Sequence, residues 1–172
     1  MRRAWAVLQL GENMEQGKFY FVSDEFYQKY KKYGLTGNDG DEHGRPCCYL
    51  FKADADDIYW MVPISSKTEK YQQIYKKSVK KYGLCDNVVF GYVLGRKRAF
   101  LVQNLFPVTL KYITSVYIDK QTGKPVEMDH RIEGELRAKA RKKIDKASKG
   151  IKIGLTDIAS ILSMIKGEIH AG

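Results

Sequence analysis

Cysteine and proline are both scarce in this 172-residue chain, at three and four residues. Cys47, Cys48 and Cys85 are odd in number and contain no Cys-x-x-Cys spacing, so neither a disulfide framework nor a zinc site is indicated. Three buried thiols in a reducing, cytoplasmic compartment are expected instead. Long apolar runs are also missing. Nothing approaches about 18 consecutive apolar residues, which excludes a transmembrane helix. The short apolar stretch after Met1 runs into Gly11-Glu12-Asn13 without a small-residue cleavage site, which argues against a signal peptide. There is no Gly-x-Ser-x-Gly, no Walker A phosphate loop and no His-Glu-x-x-His. His43, His130 and His170 stand alone, and Asp39, Asp41, Asp54, Asp56 and Asp57 fall in turn-like stretches. Metal-dependent nuclease chemistry needs several converging carboxylates, so the expectation is no metal and no cofactor.

What the chain does have is positive charge. Thirty Lys and Arg against 20 Asp and Glu give +10 at pH 7. A small protein this basic most often meets a polyanion, and nucleic acid is the commonest one. With 44% hydrophobic and 29% charged residues the chain is a folder rather than a disordered segment. Its length suits one domain. Residues 1–16 read as an N-terminal extension, with Met14 as an alternative start, and residues 17–172 as a single domain.

Patterning supplies the fold class. Lys18-Phe19-Tyr20-Phe21-Val22 reads as a first strand, and Ser23-Asp24-Glu25 caps a helix carrying Phe26, Tyr27, Tyr30 and Tyr33 that ends at Gly34. Short strands follow at 47–52 and 58–64, then a lysine-rich helix with Tyr71, Ile74, Tyr75 and Val79 at helical spacing. Strands return at 88–94 and 99–103, joined by the basic turn Gly95-Arg96-Lys97-Arg98, and a further segment runs from Pro107 to Asp119. Ile132, Leu136, Ala140, Ile144 and Ala147 mark the buried stripe of a helix whose other faces carry Arg137, Lys139, Arg141, Lys142, Lys143 and Lys146. A last helix, capped by Thr156 or Asp157, presents Ile158, Ile161, Leu162 and Ile165. Five or six strands with interleaved helices indicate an α+β domain: a compact, highly bent antiparallel sheet or barrel with flanking helices.

Two segments carry candidate chemistry. In Pro63-Ile64-Ser65-Ser66-Lys67-Thr68-Glu69-Lys70-Tyr71, two hydroxyls sit where an apolar strand becomes a cationic helix. The backbone N–H groups of such a helix start favour phosphate, and lysines beside them add charge. The same spacing also suits a plain helix cap. Elsewhere tyrosines alternate with lysines, as at Tyr27-Gln28-Lys29-Tyr30-Lys31-Lys32-Tyr33, Lys70-Tyr71 and Tyr75-Lys76-Lys77. Aromatic faces interleaved with cations suit unpaired bases and their phosphates. A half-buried amphipathic helix gives the same pattern.

The ordered set Phe19-Tyr20-Phe21-Val22-Ser23, then Arg45-Pro46 leading an apolar strand, then Trp60-Met61-Val62-Pro63-Ile64-Ser65-Ser66-Lys67 resembles the endoribonuclease toxins of type III toxin–antitoxin systems, the ToxN/AbiQ/CptN group. The resemblance implies a MazF/Kid-like bent sheet. It also implies metal-independent RNA cleavage by 2′-hydroxyl attack, leaving 2′,3′-cyclic phosphate and 5′-hydroxyl ends. The implied partners are a small repeated pseudoknot RNA antitoxin, which the toxin processes and with which it closes into a ring-like assembly, and cellular or phage RNA as substrate. DNA and membrane are not implied. By position, Ser66 matches the family's key serine and Ser65 the hydroxyl residue before it. The family's Ser-Pro-Lys is replaced by Ser66-Lys67-Thr68, so Lys67 and Lys70 both stand as the cation that meets the developing phosphate charge. The family's active-site tyrosine aligns nearest Phe26, so the resemblance implies that Tyr27 or Tyr30 replaces it, with Tyr30 taken as the catalytic candidate. Arg45, Tyr27, Tyr71, Lys76, Lys77, Arg137, Arg141, Lys142 and Lys143 form the expected RNA-binding set. The competing readings are a non-catalytic basic RNA-binding domain and a MazF-like toxin inhibited by a protein.

Overall fold

The computed structural model describes residues 14–38, 44–53, 57–151 and 156–171. Expectations that fall on residues 1–13, 39–43 or 54–56 lie outside the described residues. Seven strands are described: β1 (Phe19–Val22), β2 (Cys47–Lys52), β3 (Tyr59–Ser65), β4 (Val89–Val93), β5 (Arg96–Phe100), β6 (Phe106–Val108) and β7 (Ile113–Val116). The helices are α1 (Asp24–Lys29), α2 (Thr68–Tyr82), α3 (Glu133–Ser148) and α4 (Ile158–Ala171). All strand pairs are antiparallel and the order is β4-β5-β3-β2-β1-β7. β6 pairs with the first half of β3, along Tyr59, Trp60 and Met61, while β5 takes its second half at Ile64 and Ser65.

The sheet does not close on itself, so the barrel alternative is set aside for an open sheet. Its bends coincide with register shifts at Phe21/Val22 and Tyr49/Phe51, as expected where an extra residue breaks the ladder and tightens the twist. β2 and β3 are buried on both faces, which is why they read as unbroken apolar runs rather than alternating ones. One face, with Tyr20, Tyr49, Met61 and Phe106, packs on α1 and on Ile161 and Ile165 of α4. The other, with Phe19, Leu50, Val62 and Phe100, packs on Leu136 and Ala140 of α3. A third cluster of Tyr71, Cys85, Val88, Ala99 and Leu101 seats α2 on the β4–β5 end.

Local signals account for most element ends. The Ser23 hydroxyl accepts the Phe26 N–H, and Gly34 takes a left-handed conformation at the end of the turn that follows α1. Asp157, not Thr156, caps α4, accepting from the Ser160 N–H at 3.1 Å and its hydroxyl at 2.7 Å. Thr156 is buried and donates instead to the Gly34 carbonyl. The expected basic turn is displaced: the two-residue turn is Leu94-Gly95, with φ of 52° and 76°, and Arg96, Lys97 and Arg98 lie in β5. Val102 and Gln103, expected as the end of a strand, form a 3₁₀ turn with Asn104. All three cysteines are free and buried, and burial pushes the Cys47 thiol up to about 12. No described helix is long and apolar enough to cross a membrane.

Candidate active site and nucleic-acid face

Ser65 is the last residue of β3, and α2 begins at Thr68. The two neighbouring serines have different surroundings. Ser65 is 5% exposed, and its hydroxyl accepts the Lys67 N–H at 3.2 Å, closing the bend. Ser66 is exposed. The Ser66 carbonyl accepts the Thr68 N–H at 2.8 Å, and the Tyr71 N–H makes the first bond of the helix, to the Lys67 carbonyl. The N–H groups of Glu69 and Lys70 have no acceptor among the described residues. They point out of the helix end where Ser66 sits, and their partial positive charge favours an anion there.

Arg45 locks this corner from beneath. Its Nη1 donates to the Ile64 carbonyl at 2.9 Å and its Nε to the Gly37 carbonyl at 2.8 Å. Its own N–H is held by the Asn38 side chain at 3.0 Å, and Asn38 in turn donates to Asp24 at 2.8 Å. Gly44 is required here, since it has φ of 103° and a Cβ would lie 2.6 Å from the Asn38 Oδ1. The structure thus brings Arg45, Ser65, Ser66 and Lys67 to one end of β3. The exposed Lys70 follows on the first turn of α2, its Nζ 5.3 Å from the centroid of the Tyr71 ring, and Tyr71 itself is buried in the third cluster. Lys76 and Lys77 are exposed further along the same helix. Among the described residues no three His, Cys, Asp or Glu side chains are grouped to hold a metal ion.

Other expected site residues are placed elsewhere. Tyr30 is fully buried, and its hydroxyl is donated to Glu168 of α4. Tyr27 is 7% exposed and shares a hydrogen bond with the Cys47 thiol at 3.6 Å. Both belong to the aromatic core around Phe26 and Phe106, with no face turned to a ligand. They sit on the inner side of a short helix, where the Tyr–Lys alternation puts the lysines outside.

The cationic helix is also corrected. Lys143 is 3% exposed and donates to the Asn87 side chain at 2.7 Å, its ammonium pushed down to about 8 by burial. Lys142 pairs with Asp86 at 2.6 Å, Arg137 with Glu133 at 2.7 Å, and Arg141 stacks on Phe51 with its guanidinium 4.4 Å from the ring centroid. Lys139 spans Glu135 and the Cys85 carbonyl. Lys139, Lys142 and Lys143 fasten α3 to the loop before β4, while Arg141 and Lys142 remain exposed. The Asp86-Asn87 pair was the available signal.

Sequence reasoning missed one group altogether. Glu168 accepts from Tyr30 and Lys29, from Tyr112 at 3.0 Å, and pairs with Lys111 at 3.0 Å. Burial alone would raise its carboxyl, but these donors outweigh it and hold it at about 2. The group pins α4 to the end of α1 and to the 3₁₀ turn before β7.

No protein-family model matches the sequence, and no curated protein matches it. Among solved structures the chain is similar to AbiQ, a lactococcal anti-phage endoribonuclease belonging to the type III toxin–antitoxin system. The two share 15% identity at a TM-score of 0.64, over 91% of this chain and 99% of that one. It is also similar to a structure from a bacterial antiviral system regulated by a processed non-coding RNA, at 9% identity and a TM-score of 0.60, over 85% and 95% of the respective chains. At these identities the likeness is one of fold, and it runs through nearly the whole of both partners.

Proposed function

We propose that this chain is a metal-independent, sequence-selective endoribonuclease toxin, held inactive by a small repeated RNA that it processes. The observation that carries this reading is the end-to-end likeness of its fold to the AbiQ endoribonuclease, with 99% of that chain covered. The chain's charge of +10 and the exposed Ser66 at a basic strand–helix corner support it.

In this reading a scissile phosphate docks at the start of α2. The free N–H groups of Glu69 and Lys70 and the Ser66 hydroxyl donate to its non-bridging oxygens. The adjacent ribose 2′-oxygen attacks phosphorus as its proton leaves, the O2′–P bond forms, the P–O5′ bond breaks, and the departing O5′ is protonated. The extra negative charge peaks when phosphorus is five-coordinate, and Lys67 and Lys70 are the cations nearest in sequence to meet it. Arg45 holds the end of β3 in place from the opposite side. Ser65 supports the bend and does not touch substrate.

The partner is tested by what accompanies the protein when it is purified from cells expressing it with its native upstream DNA. Absorbance at 260 nm that disappears on added ribonuclease, together with short RNAs of one repeat length, supports the RNA-antitoxin reading. A second polypeptide and no RNA contradicts it.

A further inference from the structure

β4 is an edge strand of the sheet. The ladder pairs Ser65 with Ala99 and Ala99 with Phe90, and in the next row Lys97 with Tyr92. Directly opposed residues of antiparallel strands project to the same face. Ser65, Ala99 and Phe90 therefore form one row across β3, β5 and β4, and Tyr92 and Lys97 continue that face toward the hairpin tip. Ser65, Ala99 and Phe90 lie beneath α2, and Tyr92 and Lys97 emerge beyond it; strand spacing and rise place Tyr92 about 12 Å from Ser65 across the ladder.

The exposed side chains on this face are aromatic and cationic. Tyr92 is 50% exposed, and the Arg131 guanidinium lies 5.6 Å from its ring centroid. Asp129 fixes that guanidinium with two hydrogen bonds at 3.0 Å and also accepts the Tyr92 N–H at 3.4 Å. The Lys97 ammonium lies 4.8 Å from the Phe90 ring centroid, and Phe90 meets Tyr75 of α2 edge-on at 5.8 Å. Among the described residues Arg96, Lys97 and Arg98 have no carboxylate partner, whereas Arg137, Lys139 and Lys142 of α3 are all paired. Cations on an edge strand discourage unwanted strand pairing, but these lie on β5, one strand in from the edge. That role does not call for a large, half-exposed tyrosine pre-stacked with a planar guanidinium.

We infer that the outer face of the β4–β5 hairpin is a subsite for unpaired RNA near the Ser66 corner, with Tyr92 and Arg131 stacking a base and Lys97 meeting a flanking phosphate. The inference rests on the ribonuclease reading and adds to it the single-stranded segment beside the cleaved bond. Stacking platforms with unpaired cations accept any base, and the stacking of bases within a duplex shields their faces from them.

The test uses the full chain carrying Ser66→Ala and a labelled random-sequence 12-nucleotide single-stranded RNA. Adding Tyr92→Thr, which keeps a strand-favouring residue, weakens binding about tenfold. Adding Lys97→Gln lowers the slope of log K against log salt by about 0.7. Neither change alters the affinity for a perfect RNA duplex. If Tyr92→Thr lowers the melting temperature, the Lys97→Gln slope and photo-crosslinking of 4-thiouridine RNA decide, with crosslinks expected within 90–98 or 129–132. Unchanged binding and slope in a protein whose unmutated form cleaves RNA overturns the subsite and leaves the enzyme. An equal loss on duplex RNA reduces the face to unspecific charge and also overturns it. Absence of both cleavage and binding overturns subsite and enzyme together.

Discussion

Ser65 and Ser66 are adjacent yet face different media: the Ser65 hydroxyl is buried and accepts the Lys67 N–H, while Ser66 is exposed at the open end of α2. The pair expected to act together therefore divides into a buried hydroxyl that supports the bend and an exposed one, to which the proposed mechanism gives the contact with substrate.

That division makes the two alanine variants behave differently. Ser66→Ala abolishes growth inhibition on expression while leaving stability within about 0.5 kcal/mol, as is usual for an exposed position. Ser65→Ala costs about 1 kcal/mol of stability through the lost hydrogen bond and lowers activity only in part. Growth assays with chemical denaturation of both variants check this. Full toxicity from Ser66→Ala contradicts the assignment.

Strands β2 and β3 are legible in the sequence because apolar residues buried on both faces leave long unbroken runs between turn residues. The serine corner is legible because a β-rich run ending in Ser-Ser meets a run of lysines at helical spacing. The β4–β5 turn is not legible, since Leu94 adopts a positive φ that its residue type disfavours, and the charges around it look like the loop. Tyr30 illustrates a deeper limit. Local pattern cannot reveal that its hydroxyl is taken by Glu168, 138 residues away. Lys143 looks like its solvated neighbours until Asn87, 56 residues distant in sequence, is placed against it.

Glu168 gives the fold an acid-sensitive fastening. Its carboxyl is held at about 2, below the unfolded value near 4.3, so its contribution is complete above that value and is lost as pH falls from about 4.3 to 2. Glu168→Gln weakens hydrogen bonds to two buried tyrosines and lowers stability at pH 7 by about 2 kcal/mol. The difference between wild type and variant shrinks through that acid window. A constant difference from pH 7 to pH 2 in denaturation measurements contradicts the account.

Lys143 responds in the opposite range. Burial holds its folded value near 8, below about 10.4 in the unfolded chain, so the unfolded state binds more protons between these values and stability rises with pH there. Lys143→Met removes that rise and stays within about 1 kcal/mol of wild type at pH 7, since an apolar side chain of similar length fills the same space. RNA affinity is unchanged. A marked loss of RNA affinity returns Lys143 to the binding surface.

The most direct measurement is RNA cleavage by the purified protein in excess EDTA, with the product ends analysed chemically. Wild type is predicted to yield 2′,3′-cyclic phosphate and 5′-hydroxyl ends at the same rate with and without EDTA, and Ser66→Ala to yield none. Cleavage that stops with EDTA, leaves 5′-phosphate ends or survives Ser66→Ala contradicts the account.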